Sequence, residues 1–205
     1  MAADPLVCTF HEATIYESDL DALAAPHWLN DSLITFYLQH LQHCAFSDHQ
    51  SSGSSANHGM LFLTPGAAFV LAHEDDADDF ASTLDGLEIA RHALVFLPIN
   101  DNANVERGGG GSHWSLLVLD VRALAFAHFD SAARANLAVA RALAAKLHAA
   151  LKPSSGSHNG ALRLSSPECP AQVDFSFLNP RFHSSSRTFC HPRSPHLYQL
   201  FIGFK

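Results

Sequence analysis

The sequence predicts an α+β fold in which helices cover a central sheet. Three short apolar runs follow one another in residues 94–131, which read LVFLPINDNANVERGGGGSHWSLLVLDVRALAFAHFDS. Apolar runs of this kind, bounded by polar or glycine-rich turns, are typical of buried strands. Apolar residues also recur at helical spacing on both sides of this stretch, in residues 32–44 and 132–151. Helices before and after a set of buried strands are expected to pack against the faces of the sheet.

The remaining elements follow from start and turn signals. Asn or Asp before an apolar helical pattern, Pro in a first turn and acidic residues near a helix start all mark N-termini. In chain order we predict a short extended or hairpin segment in 5–20, a helix in 32–44 capped by Asn30 or Asp31, a helix from Pro65 to about His73, a helix from the acidic run 74–79 to about Leu84, a long helix in 132–151 and a short strand in 161–164.

The composition is that of one globular domain. The chain has 205 residues, of which 47% are hydrophobic and 16% charged, enough for a substantial core. No apolar run approaches the roughly 18 residues of a membrane span, and no secretory signal is evident, so we expect no membrane association. A formal net charge of -8 argues against nucleic acid as the main partner. Four scattered cysteines without a CxxC pair favour reduced thiols, in the cytoplasm or the nucleus.

The turn after the second strand brings two reactive side chains together. If Val121 and Arg122 form a two-residue loop, counting outward places His113 directly opposite Asp130. Directly opposed residues of an antiparallel pair lie about 4.5–5.5 Å apart at Cβ and point to one face. A carboxylate beside an imidazole fixes the tautomer and orientation of a catalytic base. The spacing alone also fits a structural hydrogen-bonded pair, and a longer loop would change the register.

A second group of potential ligands lies at the end of the helix in 32–44. His40, His43 and Cys44 share one helix face at i, i+3 and i+4. A zinc site needs a fourth ligand or an open position beside three fixed ones, and the sequence places no further ligand there. An exposed polar stripe is therefore the preferred interpretation, and we expect neither a metal nor a cofactor.

An ordered set of motifs resembles the ubiquitin-like-protein-specific cysteine proteases, in particular the compact deneddylase branch of the sentrin-specific proteases. The motifs are WLND at 28–31, FLTP at 62–65, VFLPINDNAN at 95–104, HWSLL at 113–117, FDS at 129–131 and CPAQ at 169–172. One HW or FDS is a weak signal, but the ordered set covers about residues 5–172. The resemblance implies a papain-like α+β fold, a mixed sheet flanked by helices.

The resemblance also implies a reaction and its residues. In this family a cysteine thiolate cleaves after the C-terminal Gly-Gly of a modifier, and a histidine activates the thiol and protonates the leaving amine. By motif, His113 matches this histidine and Asp130 the carboxylate that orients it. Gln172 matches the glutamine whose side-chain amide donates to the oxyanion.

Three further residues match the family's substrate-binding positions. Trp28 and Trp114 match an aromatic pair that closes a narrow tunnel over the Gly-Gly tail, and Asp31 stands beside them in the first motif. Only glycine, which lacks a Cβ, passes such a slot. For Trp28 the alternative is an ordinary core anchor before a helix.

The nucleophile is missing from its family position. The family places its cysteine six residues after the glutamine, and Leu178 stands there. The composition changes at the same point, because residues 174–205 have four Lys or Arg and one acidic residue, whereas residues 1–173 have eight and nineteen. We therefore predict an incomplete protease domain in 1–173 and a divergent tail in 174–205, and hypothesise mis-splicing or translation into an intron. Cys190 is the candidate substitute nucleophile, although nothing in its surroundings indicates a lowered pKa.

The predicted function is a cysteine peptidase that removes or matures a Nedd/Rub-type modifier, in a chain that is inactive because the nucleophile is absent. We expect a monomer whose partners are this modifier and its conjugates. The alternatives are a non-catalytic modifier-binding module, a SUMO-specific protease, or an unstable product with an uncovered apolar sheet face.

Overall fold

The computed structural model describes residues 3–24, 27–46, 58–104, 110–152 and 160–169. Its strands are β1 (Leu6–Phe10), β2 (Ala13–Tyr16), β3 (His58–Phe62), β4 (His92–Asn100), β5 (Trp114–Asp120), β6 (Ala125–Phe129) and β7 (Arg163–Ser165). Its α-helices are α1 (Glu17–Leu20), α2 (Asp31–His40), α3 (Pro65–His73), α4 (Ala77–Gly86) and α5 (Leu137–Leu151). None of the helices in these ranges is long and apolar enough to cross a membrane.

The central sheet is mixed and has five strands. They lie in the order β3-β4-β5-β6-β7, and β1 with β2 forms a separate antiparallel hairpin. The pairs β3–β4 and β6–β7 are parallel, whereas β4–β5 and β5–β6 are antiparallel. The predicted hairpin at the N-terminus and the three predicted consecutive strands are confirmed, and β5 occupies the centre of the sheet.

Both faces of the sheet are covered, as the apolar runs predict. One face of β5 contributes Leu117 and Leu119 to a core shared with α3, α4 and α5. The opposite face contributes Leu116 to a second core, in which it meets Ile34 and Leu38 of α2. A strand buried on both faces has no solvated side, which explains its nearly continuous apolar sequence.

The helix starts agree with the capping signals. Asn30 caps α2, because its side chain accepts the backbone N–H of Leu33 at 3.0 Å. Thr64 caps α3, whose first turn contains Pro65. Asp76 caps α4, since its carboxylate accepts two backbone N–H groups of the first turn.

Two helix bounds differ from the predicted ones. α2 ends at His40 and continues as a π-helical turn, Leu41–Ala45, rather than as regular α-helix to residue 44. α5 begins at Leu137 and not at residue 132, because residues 131–136 form turns. Two of these turn residues donate backbone N–H groups to Asp130, so this segment binds the carboxylate that follows β6 before the helix begins.

The predicted two-residue loop between β5 and β6 is wrong. Asp120 pairs with Ala125, so the loop has four residues, 121–124. The tight alternative needs positive φ at both central positions, which Val and Arg adopt poorly. In the longer loop Leu124 takes the positive φ, 45°, and Asp120 accepts the backbone N–H of Ala123 at 2.8 Å.

Candidate active site

The corrected register keeps His113 and Asp130 together. The pairing is shifted by two residues from the predicted one, and a shift of two leaves every side chain on its predicted face. The two residues are therefore diagonal rather than direct neighbours, a separation that long side chains bridge. His113 Nε2 lies 2.7 Å from Asp130 Oδ1, and the side chains are only 7% and 2% exposed.

The bond selects a tautomer of His113. An ionised carboxylate has no proton to donate, so the imidazole carries its proton on Nε2 and donates it to Asp130. In the neutral imidazole Nδ1 then keeps its lone pair. A ring fixed in this way can accept a proton at Nδ1 while the carboxylate stabilises the cation that results.

Asp130 is held in its ionised form. Burial works to raise the pKa of this carboxyl, but hydrogen bonds from the backbone N–H groups of Asn136 and Ala132 and from the His113 side chain outweigh it. The result is a pKa below the usual value of Asp. Both backbone donors are 2.9 Å from the carboxylate and precede α5, whose N-terminus also favours a negative charge.

Asp101 fastens the loop that leads into β5. Its carboxylate accepts the Ser112 hydroxyl at 2.6 Å and the backbone N–H of His113 at 3.1 Å. Burial acts to raise the pKa of Asp101, yet these bonds and the backbone N–H of Ser112 lower it overall. No periodic pattern in the sequence predicts this contact, which spans a glycine-rich loop.

Gly111 is required by the backbone of the same loop. Its φ is +94°, and a Cβ placed there would overlap Asn100 Oδ1. We expect Gly111→Ala to lower the free energy of unfolding by about 2 kcal/mol, because an L residue is strained at this φ and the Asn100 side chain must move. Urea unfolding measures the loss.

Gly86→Ala is the matched control for this prediction. Gly86 is the last residue of α4, and a Cβ there meets nothing within 4 Å. Since alanine is the better helix former, this variant is expected to be as stable as the wild type or slightly more stable. Equal losses in the two variants would contradict the assignment of strain to Gly111.

A buried polar cluster lies behind the His113–Asp130 pair. His128 and Ser115 are each 1% exposed, and His128 Nε2 lies 3.0 Å from Ser115 Oγ. Asn136 is fully buried, and its Nδ2 lies 3.1 Å from the same hydroxyl. None of these three residues was predicted to belong to the site, although a Ser and a His inside two apolar strands were the available signal.

Burial lowers the pKa of His128. The charge of Asp130 works in the opposite direction, and His113 adds to the lowering. An unfolded histidine titrates at about pH 6.5, so the unfolded state binds more protons than the folded one as the pH falls from this value. Stability contributed by neutral His128 is therefore present above about pH 6.5 and is lost as the pH falls towards the lowered value.

We expect the free energy of unfolding to fall less steeply between pH 6.5 and 5.5 in His128→Gln than in the wild type. One such group contributes at most about 1.4 kcal/mol per pH unit, and the variant lacks it. Urea unfolding at several pH values measures the slope. His27→Gln, at an exposed histidine, is the control and should keep the wild-type slope. Equal slopes in His128→Gln and the wild type would contradict the prediction.

The predicted substrate-binding residues lie near the start of β5. Trp114 donates its Nε1–H to the carbonyl of Leu29 at 3.2 Å, which ties β5 to the segment before α2. A cavity of about 110 Å³ is lined by both Trp114 and Asp31. Partial burial raises the pKa of Asp31. Trp28 is 46% exposed and does not line this cavity, so the structure does not make it a core anchor.

Cys169 is the cysteine that the structure places near the pair. Its Sγ lies 3.7 Å from the carbonyl of Pro167, and the backbone amide of Asp130 acts on the thiol. Burial and the charge of Asp130 raise the pKa of Cys169, and the amide only partly offsets them. A reactive thiol needs the opposite shift. Gln172 and Cys190 lie outside the described residues.

The potential zinc ligands at the end of α2 and in the π-helical turn after it do not converge. His43 stacks on His11 of the N-terminal hairpin with ring centroids 3.6 Å apart. Within the described ranges, no three His, Cys, Asp or Glu side chains are placed to hold a metal ion.

Comparison with curated proteins identifies the family, although no protein-family model matches the chain. Human sentrin-specific protease 8 is 33% identical over 172 residues, which cover 82% of this chain and 74% of that protein. This chain belongs to the sentrin-specific cysteine proteases. NEDD8-specific protease 1 of Arabidopsis thaliana, another protease of this group, is 35% identical over 128 residues, 62% of this chain and 52% of that protein.

Solved structures confirm the fold of the family. The C-terminal Ulp1 protease domain in complex with Smt3, the yeast ortholog of SUMO, has a TM-score of 0.58 at 18% identity and covers 84% of this chain and 70% of that domain. The Xanthomonas campestris effector XopD bound to ubiquitin has a TM-score of 0.50 at 23% identity and covers 74% and 68%. The predicted protease-type α+β fold is therefore confirmed.

Proposed function

We propose that this chain carries the site of a deneddylase, which recognises the C-terminal Gly-Gly of a Nedd/Rub-type modifier, but that the chain does not turn over. The buried His113–Asp130 hydrogen bond of 2.7 Å carries this proposal, because it leaves Nδ1 of the imidazole as a fixed base. The names of two relatives, a sentrin-specific protease 8 and a NEDD8-specific protease 1, support the choice of modifier. We extend the proposal to a monomer that acts in the cytoplasm or the nucleus.

In the reaction of a chain that has the family's cysteine, each site residue would transfer a proton or stabilise a charge. A cysteine thiol at the family position would give its proton to His113 Nδ1, and the thiolate would attack the carbonyl carbon of the second glycine, whose bond to the leaving amine is the one that breaks. Gln172 donates to the oxyanion of the tetrahedral intermediate. When the C–N bond breaks, the imidazolium protonates the leaving amine, and water then hydrolyses the thioester. Asp130 remains ionised throughout, in keeping with its lowered pKa.

The absence of turnover follows from the nucleophile. Leu178 stands where the resemblance places the cysteine, and a leucine side chain cannot attack a carbonyl. Cys169 lies near Asp130, but its pKa is raised and its thiol is therefore protonated at neutral pH. We propose that the chain acts as a binder of the Gly-Gly tail through Trp28, Asp31 and Trp114.

A modifier with a C-terminal thiol-reactive warhead tests this proposal. The purified chain is incubated with the Nedd-type probe, and adducts are detected by intact mass. Binding of the unreactive modifier is measured in parallel, with a modifier that lacks the Gly-Gly as the control. We expect no adduct and binding that depends on the Gly-Gly.

Two cysteine variants identify the source of any adduct. An adduct that disappears in Cys190→Ala or in Cys169→Ala would show that the substituted cysteine is a nucleophile. This result would overturn the proposal that the chain is inactive. No binding to the Nedd-type modifier, together with binding to a SUMO-type modifier, would overturn the choice of modifier. No binding to either one would overturn the proposed recognition of the tail.

A further inference from the structure

Asn136 occupies a helix N-cap position without capping the helix. The residue directly precedes α5, where an Asn side chain ordinarily accepts a backbone N–H of the first turn. Its side chain makes no such bond. Asn30 and Asp76, the corresponding residues of α2 and α4, both do so. The side chain of Asn136 is therefore used for something other than the helix.

The side-chain amide of Asn136 points into the end of the sheet. Nδ2 lies 3.1 Å from the carbonyl oxygen of His113 and 3.3 Å from that of Ile99. It also lies 3.1 Å from the hydroxyl of Ser115. The residue is fully buried, so water does not compete for these contacts. One side chain thus contacts the end of β4, the residue before β5 and the second residue of β5.

The backbone of Asn136 contacts the other member of the pair. Its N–H donates to Asp130 Oδ2 at 2.9 Å, while Asp130 Oδ1 accepts His113 Nε2 at 2.7 Å. Asn136 therefore contacts the main chain of the histidine and the carboxylate of the aspartate. The histidine backbone, the imidazole, the carboxylate and Asn136 form a closed ring of contacts.

The placement of the Asn136 side chain is unfavourable for the stability of the folded protein. Asn136 Oδ1 is buried and has no hydrogen-bond partner among the residues that the structure describes, and an unpaired buried acceptor is destabilising. Departures from local rules of this kind concentrate at functional sites. A contact that sets the geometry of His113 and Asp130 accounts for the lost cap and for the unpaired oxygen.

We propose that Asn136 is a positioning residue that fixes the main chain of His113 relative to the carboxylate of Asp130, and thereby holds the imidazole in its Nε2–H tautomer. The inference rests on the proposed function only in so far as that function makes His113 the base. Asn136 acts through the pair and touches no reacting atom.

NMR of the chain labelled with ¹⁵N-histidine tests the proposal without requiring turnover. Ring ¹⁵N shifts report the tautomer of His113, and exchange of its Nε2 proton with water reports the strength of the bond to Asp130. We expect one Nε2–H tautomer in the wild type. In Asn136→Ala we expect a mixture of tautomers and exchange at least about tenfold faster, because the imidazole is released from one geometry. Asn136→Ser keeps one donor and should restore the wild-type behaviour in part.

Asp76→Ala separates positioning from general destabilisation. It removes a real cap from α4 and is expected to leave the His113 signals unchanged. Unchanged His113 signals in folded Asn136→Ala would overturn the proposal and leave a structural role. If neither Asn136 variant folds, the residue is a determinant of the fold and the proposal is likewise overturned. Modifier binding does not enter the readout, so failure of the proposed function is scored separately.

Discussion

Asp130→Ala is expected to lower the free energy of unfolding by about 3–5 kcal/mol, because several hydrogen-bond donors lose their acceptor and each buried donor left unpaired costs about 1–3 kcal/mol. The carboxylate is 2% exposed and accepts hydrogen bonds from His113, Ala132 and Asn136. The methyl group of alanine replaces none of these bonds, so three donors lose their acceptor, two of them on the buried residues His113 and Asn136. Urea unfolding at pH 7, followed by circular dichroism, measures the difference.

The stability that Asp130 contributes is expected to decrease at acidic pH. The pKa of Asp130 is lower in the folded state than the usual value of about 3.9, so its contribution is complete above this pH. The contribution is lost as the pH falls through the folded value. The difference between wild type and Asp130→Asn should therefore be constant near neutral pH and shrink below about pH 4.

Asp75→Ala provides the control for Asp130→Ala. Asp75 also accepts from a basic side chain, Lys146 Nζ at 3.0 Å, but it is 93% exposed. Exposed ion pairs contribute at most about 1 kcal/mol. Similar losses of unfolding free energy in the two variants would contradict the prediction that burial and hydrogen bonding make Asp130 contribute more to stability than an exposed carboxylate.

The His113–Asp130 pair could be predicted from the sequence even though its register was wrong. Side chains of a strand alternate with a period of two, and the real loop differs from the predicted one by two residues. The error therefore moved Asp130 along the strand without moving it to the other face. A three-residue loop would have placed the two side chains on opposite faces.

Asn136 and Asp101 could not be predicted in the same way. The amide of Asn136 reaches Ile99, 37 residues away, and Asp101 reaches His113 across a glycine-rich loop. Neither contact belongs to a periodic pattern, and each residue is of a type that is common in loops and caps. Asn136 even lies inside the helix predicted for 132–151, because the true start of α5 at Leu137 was not predicted.

The geometry of the pair does not depend on the nucleophile. His113 and Asp130 are held by Asp101, Ala132 and Asn136, all within the described ranges and all before the position where the family places its cysteine. A chain with Leu178 at that position can therefore keep His113 and Asp130 in their hydrogen-bonded geometry. This separation is what makes a binder without turnover physically reasonable.

Trp114→Ala is expected to weaken binding of a Nedd-type modifier at least about 30-fold, close to 2 kcal/mol, as is usual for a central aromatic residue of an interface. The indole lines the cavity beside Asp31, and its N–H holds the carbonyl of Leu29. Removing it opens the cavity and frees the segment that carries Trp28. Isothermal titration calorimetry with the intact modifier measures the loss.

Two variants separate this role from packing and from surface effects. Trp114→Phe keeps an aromatic ring against the α2 side of the sheet and loses only the N–H, so it should bind more tightly than Trp114→Ala. Leu6→Ala truncates a side chain that is 57% exposed on the N-terminal hairpin and should bind like the wild type. If folded Trp114→Ala bound as tightly as the wild type, the tail would not pass beside Trp114.

A slot that only glycine fits is selective because aromatic rings narrow it. Binding of a modifier ending in Ala-Ala, relative to one ending in Gly-Gly, should therefore rise when the ring of Trp114 is removed.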